Sequence, residues 1–239
     1  MQTYVLVHGG GHGGWCYDKV TRRLQALGHR VYAPSLPGLG EHAHVVSAAI
    51  DLDAHIDDVV NLLFYEDLHD VIIVGHSYGG MVITGVVDRA ADRVGKVVYL
   101  DAANPANGQS LVDVAGPHML MAREMGEVRD GIELVLLPGD GAAGFYGVED
   151  PDDIAWADAR LTPHPWACFE QQLVLTNEAA TAAIPKFHIV CESTIPTRDE
   201  TMIAAARAEG RLWSIDTGHD LMITEPDFVT DALVEIAQR

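Results

Sequence analysis

Ser77 sits at the centre of Gly75-His76-Ser77-Tyr78-Gly79. The apolar run Val71–Val74 precedes it, and an apolar helical pattern, Met81–Val87, follows. That order predicts a strand, a sharp turn and a helix, with one hydroxyl lifted at the apex. Gly75 and Gly79 remove the side chains that would clash in so tight a turn. A serine hydroxyl is a weak nucleophile until a base takes its proton, so chemistry here requires a histidine and an orienting acid. His219, in Asp216-Thr217-Gly218-His219-Asp220, is the base candidate, on a short loop after the last predicted strand. The plainer reading of such a loop histidine is bonding to backbone carbonyls. Asp101 follows Val97-Val98-Tyr99-Leu100 directly. A carboxylate there is costly without a partner, and His219 is a partner for it. The plainer reading of Asp101 is a turn former before Asn104-Pro105.

Acyl transfer also needs donors for a developing oxyanion. The Tyr78 N–H opens the helix after Ser77, where amides are free and the dipole favours negative charge. The second candidate is the Gly10 N–H in His8-Gly9-Gly10-Gly11-His12-Gly13-Gly14. Glycines let that backbone approach a substrate carbonyl. A phosphate loop is the competing reading, but no lysine follows in the required register. His12, Trp15 and the Tyr78 ring are candidates for lining the pocket, against simple packing of loop on sheet. His8 and His12 have metal-like spacing, yet they lie on a glycine loop rather than a helix face, so no metal is expected.

Elements that position these groups alternate along the chain. Thr3–Val7, Arg30–Ala33, Asp70–Val74, Lys96–Leu100, Lys186–Val190 and Arg211–Ile215 read as strands. Trp15–Leu27, Leu52–Tyr65, Thr197–Glu209 and Pro226–Gln238 read as helices, with Thr197 and Glu200 as a capping box. The alternation predicts an α/β fold, a doubly wound and mostly parallel sheet. Ser77, Asp101 and the Gly9–Gly11 loop all fall at the carboxyl ends of strands, where such sheets bind ligands. Residues 104–183 are less regular. Gln109–Met125 and Pro163–Leu175 are the helical candidates there, and the segment reads as a helical cap over a core of residues 1–103 and 184–239. Met119, Met121, Met125, Phe145, Trp156, Trp166 and Phe169 would give it an apolar surface.

Charge narrows the partners. The chain has 239 residues, 15 Lys and Arg against 35 Asp and Glu, and a formal charge of −20. Nucleic acid and anionic membrane surfaces both need a positive footprint, so neither is expected. No apolar run approaches a membrane span. Cys16, Cys168 and Cys191 are odd in number and widely spaced, which fits no disulfide framework and points to a reducing cytoplasm. Oligomeric state leaves no readable sign.

Taken in order, Val7-His8-Gly9-Gly10-Gly11-His12-Gly13-Gly14-Trp15, then Gly75-His76-Ser77-Tyr78-Gly79-Gly80-Met81, then Gly218-His219 resemble the α/β-hydrolase superfamily. More narrowly they resemble the group of plant methylesterases, hydroxynitrile lyases and small bacterial esterases such as the carbendazim-hydrolysing esterase. Phe187-His188-Ile189-Val190-Cys191 resembles that group's penultimate strand. The resemblance implies a serine hydrolase without a cofactor, acting on a small-molecule ester. The lyases carry a lysine beside the catalytic histidine and a threonine in the first loop. Here Asp220 and Gly9 stand at those positions, so ester hydrolysis is the better expectation.

The resemblance also places the usual acid in the turn after the penultimate strand. In this chain that turn is Cys191-Glu192-Ser193-Thr194-Ile195-Pro196, and Glu192 is its only acid. Some family members instead use the strand after the nucleophile helix, and bacterial relatives resemble this chain in having Tyr-Leu-Asp-Ala there. Asp101 and Glu192 therefore both stand as candidates, Asp101 first. The expected activity is carboxylic ester hydrolysis through Ser77, His219 and an acid. Amide, carbamate or lactone opening or lyase chemistry on the same groups is the first alternative. A hydrolase-fold ligand-binding protein without turnover is the second.

Overall fold

A computed structural model describes residues 1–239. Nine strands are present: β1 (Thr3–Val7), β2 (Arg30–Tyr32), β3 (Val71–His76), β4 (Val94–Leu100), β5 (Glu127–Arg129), β6 (Ile132–Val135), β7 (His164–Pro165), β8 (Lys186–Cys191) and β9 (Leu212–Ile215). The helices are α1 (Asp18–Ala26), α2 (Leu52–Tyr65), α3 (Gly79–Arg89), α4 (Leu111–Ala115), α5 (Pro117–Glu124), α6 (Pro151–Asp158), α7 (Ala167–Glu170), α8 (Glu178–Ala182), α9 (Glu200–Ala208), α10 (Leu221–Thr224) and α11 (Pro226–Ala237).

Six strands form one parallel sheet in the order β2-β1-β3-β4-β8-β9. The central strands are apolar at nearly every position because both faces are covered. Val5, Val7, Ile73, Val97 and Tyr99 point to one side, among Ile56 and Val59 of α2 and Met81 and Ile83 of α3. Tyr4, Leu6, Ile72, Val74, Val98 and Leu100 point to the other, among Val20 and Leu24 of α1 and Leu233 and Ile236 of α11. Register aligns the strand ends. Val7 lies opposite Gly75, His76 opposite Leu100, and Cys191 opposite Ile215. The loops that leave β1, β3, β4, β8 and β9 therefore open on one rim.

Between β4 and β8, residues 104–183 combine short helices with a second, antiparallel sheet, β5-β6-β7. The two long helices expected there differ. Gly116 adopts φ +68° and breaks Gln109–Met125 into α4 and α5. Pro163–Leu175 holds β7 and only one helical turn, α7. Val135, Trp166, Cys168, Phe169 and Leu173 join the α2/α3 side of the core, so the segment is packed down on the sheet. The start of α9 also differs. Asp199, not Thr197, caps it by accepting from Met202 N–H, while Thr197 donates to the Thr194 carbonyl. No helix is long and apolar enough to cross a membrane.

Candidate active site

Ser77 occupies the turn between β3 and α3 with φ +54°, a left-handed conformation rare for a residue with a side chain. The turn is pinned from three directions. Ser77 N–H donates to the Leu100 carbonyl, and the Ser77 carbonyl accepts from Gly80 N–H and Ala103 N–H. The close packing requires glycine. A Cβ on Gly75 would lie 2.5 Å from the Gly79 carbonyl oxygen, and one on Gly79 would lie 2.6 Å from that of Val7.

His219 reaches the same rim from the loop between β9 and α10. Its ring is 30% exposed. Nδ1–H donates to Asp101 Oδ2 at 2.6 Å, which leaves Nε2 unprotonated in the neutral ring. Neither Nε2 nor Ser77 Oγ has a hydrogen-bond partner within the protein. The rings of His76 and His219 lie 4.6 Å apart, and His76 Nε2–H donates to the His219 carbonyl. The His219 ring is thus held directly beside the residue that precedes the serine.

Asp101 directly follows β4 with φ +43°, and its carboxylate is buried. One oxygen accepts from His219. The other accepts from Arg198 Nη2 at 2.6 Å, Thr194 Oγ at 2.5 Å and Cys191 N–H at 3.2 Å. Burial pushes this carboxyl upward, but the His219 bond, the charges of His219 and Arg198 and the Thr194 hydroxyl outweigh it. The group is held well below the usual carboxylate range. Glu192 is exposed and makes no hydrogen bond to His219. Arg198 and Thr194 carried no role in the sequence reading. A cation next to a helix N-terminus is electrostatically unfavourable, and that misplacement of Arg198 before α9 was the available signal of an acidic partner.

The glycine loop passes against the serine: a Cβ on Gly9 would lie 2.9 Å from Ser77 Cβ. Neither Gly10 N–H nor Tyr78 N–H donates within the protein. Three histidines brace the loop. His8 Nδ1–H donates to the Gly9 carbonyl, His12 Nδ1–H donates to the Gly10 carbonyl, and Gly11 N–H donates to His164 Nδ1. Leu136 and Phe169 of the 104–183 segment stand against Gly10.

His12, expected at the pocket wall, is 1% exposed, and its Nε2 bonds Asp220 at 3.0 Å. Burial with both nitrogens engaged leaves it no atom for substrate. The Tyr78 ring is also buried, with its hydroxyl donating to His55 Nδ1. Trp15 is half-buried and lines a surface groove of about 350 Å³ with Trp156 and Arg160. Of the apolar residues expected in the cap surface, Trp166 and Phe169 are buried, whereas Met121, Met125 and Phe145 are exposed. His55, His164 and Cys168 bring three ligand-type atoms within 4.8 Å, but both nitrogens of His55 and Nδ1 of His164 are already hydrogen-bonded.

A profile of the alpha/beta hydrolase family matches residues 4–232. The chain belongs to that family. It is 34% identical to the carbendazim hydrolyzing esterase of Nocardioides sp. strain SG-4G, over 99% of this chain and 100% of that one. It is 25% identical to methylesterase 1 of Arabidopsis thaliana, over 100% of this chain and 97% of the relative. Its fold matches that of an extracellular alpha/beta-hydrolase from a Paenibacillus species with a TM-score of 0.80, at 24% identity and 98% coverage of each chain.

Proposed function

We propose that this hydrolase-family chain is a carboxylic ester hydrolase that works through an acyl-enzyme on Ser77. The 2.6 Å bond from His219 Nδ1 to Asp101 carries the reading, because it leaves Nε2 as a free base beside the left-handed serine turn. Its named esterase relatives support the same class of reaction. His219 Nε2 takes the Ser77 proton as Oγ attacks the ester carbonyl. The Gly10 and Tyr78 N–H groups receive the oxyanion. His219 then protonates the leaving alcohol, activates a water, and returns the proton to Ser77 as the acid leaves. Asp101 holds the imidazole in one tautomer and stabilises its charged form.

Residues 104–183 act as the cap, with Leu136 and Phe169 bounding the acyl side, over a core of residues 1–103 and 184–239. A net charge of −20 favours an uncharged ester. Lyase chemistry is disfavoured by Gly9, where the backbone has no room for a β-carbon against Ser77. Three buried, unpaired cysteines suit a cytoplasmic setting. A fluorophosphonate probe tests the assignment. Labelling mapped by mass spectrometry to Ser77, and abolished in His219→Ala, is expected. Labelling elsewhere, or none together with full ester turnover, would contradict it. Product analysis separates ester from amide, carbamate or lactone opening.

A further inference from the structure

His12 and Asp220 form a buried pair behind the loop that carries Gly10. Asp220 is 0% exposed and His12 is 1% exposed. His12 Nε2 lies 3.0 Å from Asp220 Oδ2, and its Nδ1 lies 2.7 Å from the Gly10 carbonyl oxygen. A carbonyl only accepts, and an ionised carboxylate only accepts. A neutral imidazole has one N–H to give, so the two bonds together require two. The neighbouring histidines show the contrasting pattern. His8 donates to the Gly9 carbonyl through Nδ1 and accepts Leu36 N–H through Nε2, as a neutral ring does. His164 accepts Gly11 N–H through Nδ1, which a charged ring could not do.

We propose that His12 is a standing imidazolium, paired with Asp220, that positions and polarises the loop whose Gly10 N–H receives the oxyanion. The inference rests on the proposed acyl-transfer reading. His12 touches no substrate and is a positioning residue. Its charge lies next to the Gly10–Gly11 peptide, in a dry region where fixed charge is weakly screened. Negative charge developing on the substrate oxygen is therefore stabilised by more than two neutral amides. The benefit exists mainly in the transition state, so it belongs in kcat rather than in KM.

The groups facing His12 leave Asp220 as its only anion. His76 on β3, with its ring 6.0 Å away, is kept neutral by burial, as are His8 and His164. Tyr146 meets the His12 ring edge-on at 5.0 Å, and burial keeps its phenol protonated. Cys16 and Tyr17, before α1, are held protonated by burial and by the Asp220 charge. His219 adjoins Asp220 in the chain and adds no negative charge. Burial alone would lower His12, but the Asp220 charge and the hydrogen bonds to Asp220 and Gly10 raise it.

Asp220→Asn tests the pair with little change of shape. The asparagine amide can donate to His12 Nε2 while Nδ1–H stays on the Gly10 carbonyl, so the charge goes and both bonds remain. Nitrogen-15 spectra of the full chain at pH 8 should show both His12 nitrogens protonated in the wild type and one in Asp220→Asn. The kcat for p-nitrophenyl acetate should fall about tenfold with KM nearly unchanged. A pair with only a structural role would lower the melting temperature and leave kcat intact below it. If Asp220→Asn does not fold, His12→Gln/Asp220→Asn carries the kinetic comparison, since it buries no unpaired charge. A neutral His12 in the wild type overturns the proposal, as does unchanged kcat in a folded variant. The proposed function fails separately, through full activity of Ser77→Ala, which leaves the His12 spectrum untouched.

Discussion

Arg198 and His219 hold opposite oxygens of a single carboxylate, Asp101, each at 2.6 Å. The guanidinium fixes the carboxylate plane and offsets the cost of burying it. The imidazole then meets an oxygen that cannot rotate away. Under the proposed mechanism, this arrangement lets an acid just after β4 serve where the turn after β8 supplies no aspartate. That turn supplies Thr194 and, just beyond it, Arg198 instead.

Removing the guanidinium should therefore damage both stability and rate. Arg198→Gln leaves a buried carboxylate short of its charge partner and should cost about 3 kcal/mol in urea unfolding. It should also lower kcat, because Asp101 loses its fixed orientation. Wild-type values for both would show that Arg198 is incidental.

The two candidate acids separate cleanly by substitution. Asp101→Asn should reduce kcat by about 10⁴-fold, as expected when an orienting carboxylate becomes an amide that selects the wrong tautomer. Glu192→Gln should leave steady-state kinetics within about twofold, since exposed substitutions away from partners change little. The reverse pattern would place the acid after β8.

Acid should destabilise the fold before Asp101 titrates. Burial lowers His8 and His76 to about 3 and His55 and His188 to about 4. Between those values and about 6.5 the unfolded chain binds protons that the folded one refuses. Stability therefore rises with pH across that window, by up to about 1.4 kcal/mol per unit for each such histidine. His12, raised in the fold, opposes this, adding stability below about 6.5 that is lost as pH climbs through its folded value. His164 and His29 are lowered as well, so the lowered rings outnumber the single raised one and give a net fall on acidification. Urea midpoints at pH 7.5, 6 and 5 measure it, and a flat profile would contradict the burial argument.

The serine turn tolerates no added carbon at Gly79. Its Cβ would lie 2.6 Å and 2.8 Å from the carbonyl oxygens of Val7 and His8, both backbone atoms. Gly79→Ala should cost about 2 kcal/mol or more in unfolding free energy. A thermally neutral variant would show that the turn can relax.

Much of this was legible in the sequence because it rests on local pattern. The change from an apolar run to a helical period around Ser77 marked the turn, and the alternation of elements marked the sheet. The small sheet in the 104–183 segment was not legible, because strands of two to four residues such as His164–Pro165 are too short to show a period of two. Spacing puts His12 near the pocket wall but does not say which way its ring faces. Its partner Asp220 lies 208 positions away. The clamp of Arg198 on Asp101 likewise depends on contacts between elements far apart in the chain.

Pre-steady-state release of p-nitrophenolate from p-nitrophenyl acetate tests the central claim most directly. The wild type should show a burst approaching one equivalent per site, followed by slower turnover limited by deacylation. Ser77→Ala should show neither burst nor turnover above background, and Asp101→Asn a much slower burst. A Ser77→Ala protein that still gave the wild-type burst would remove Ser77 as the nucleophile and the acyl-enzyme account with it.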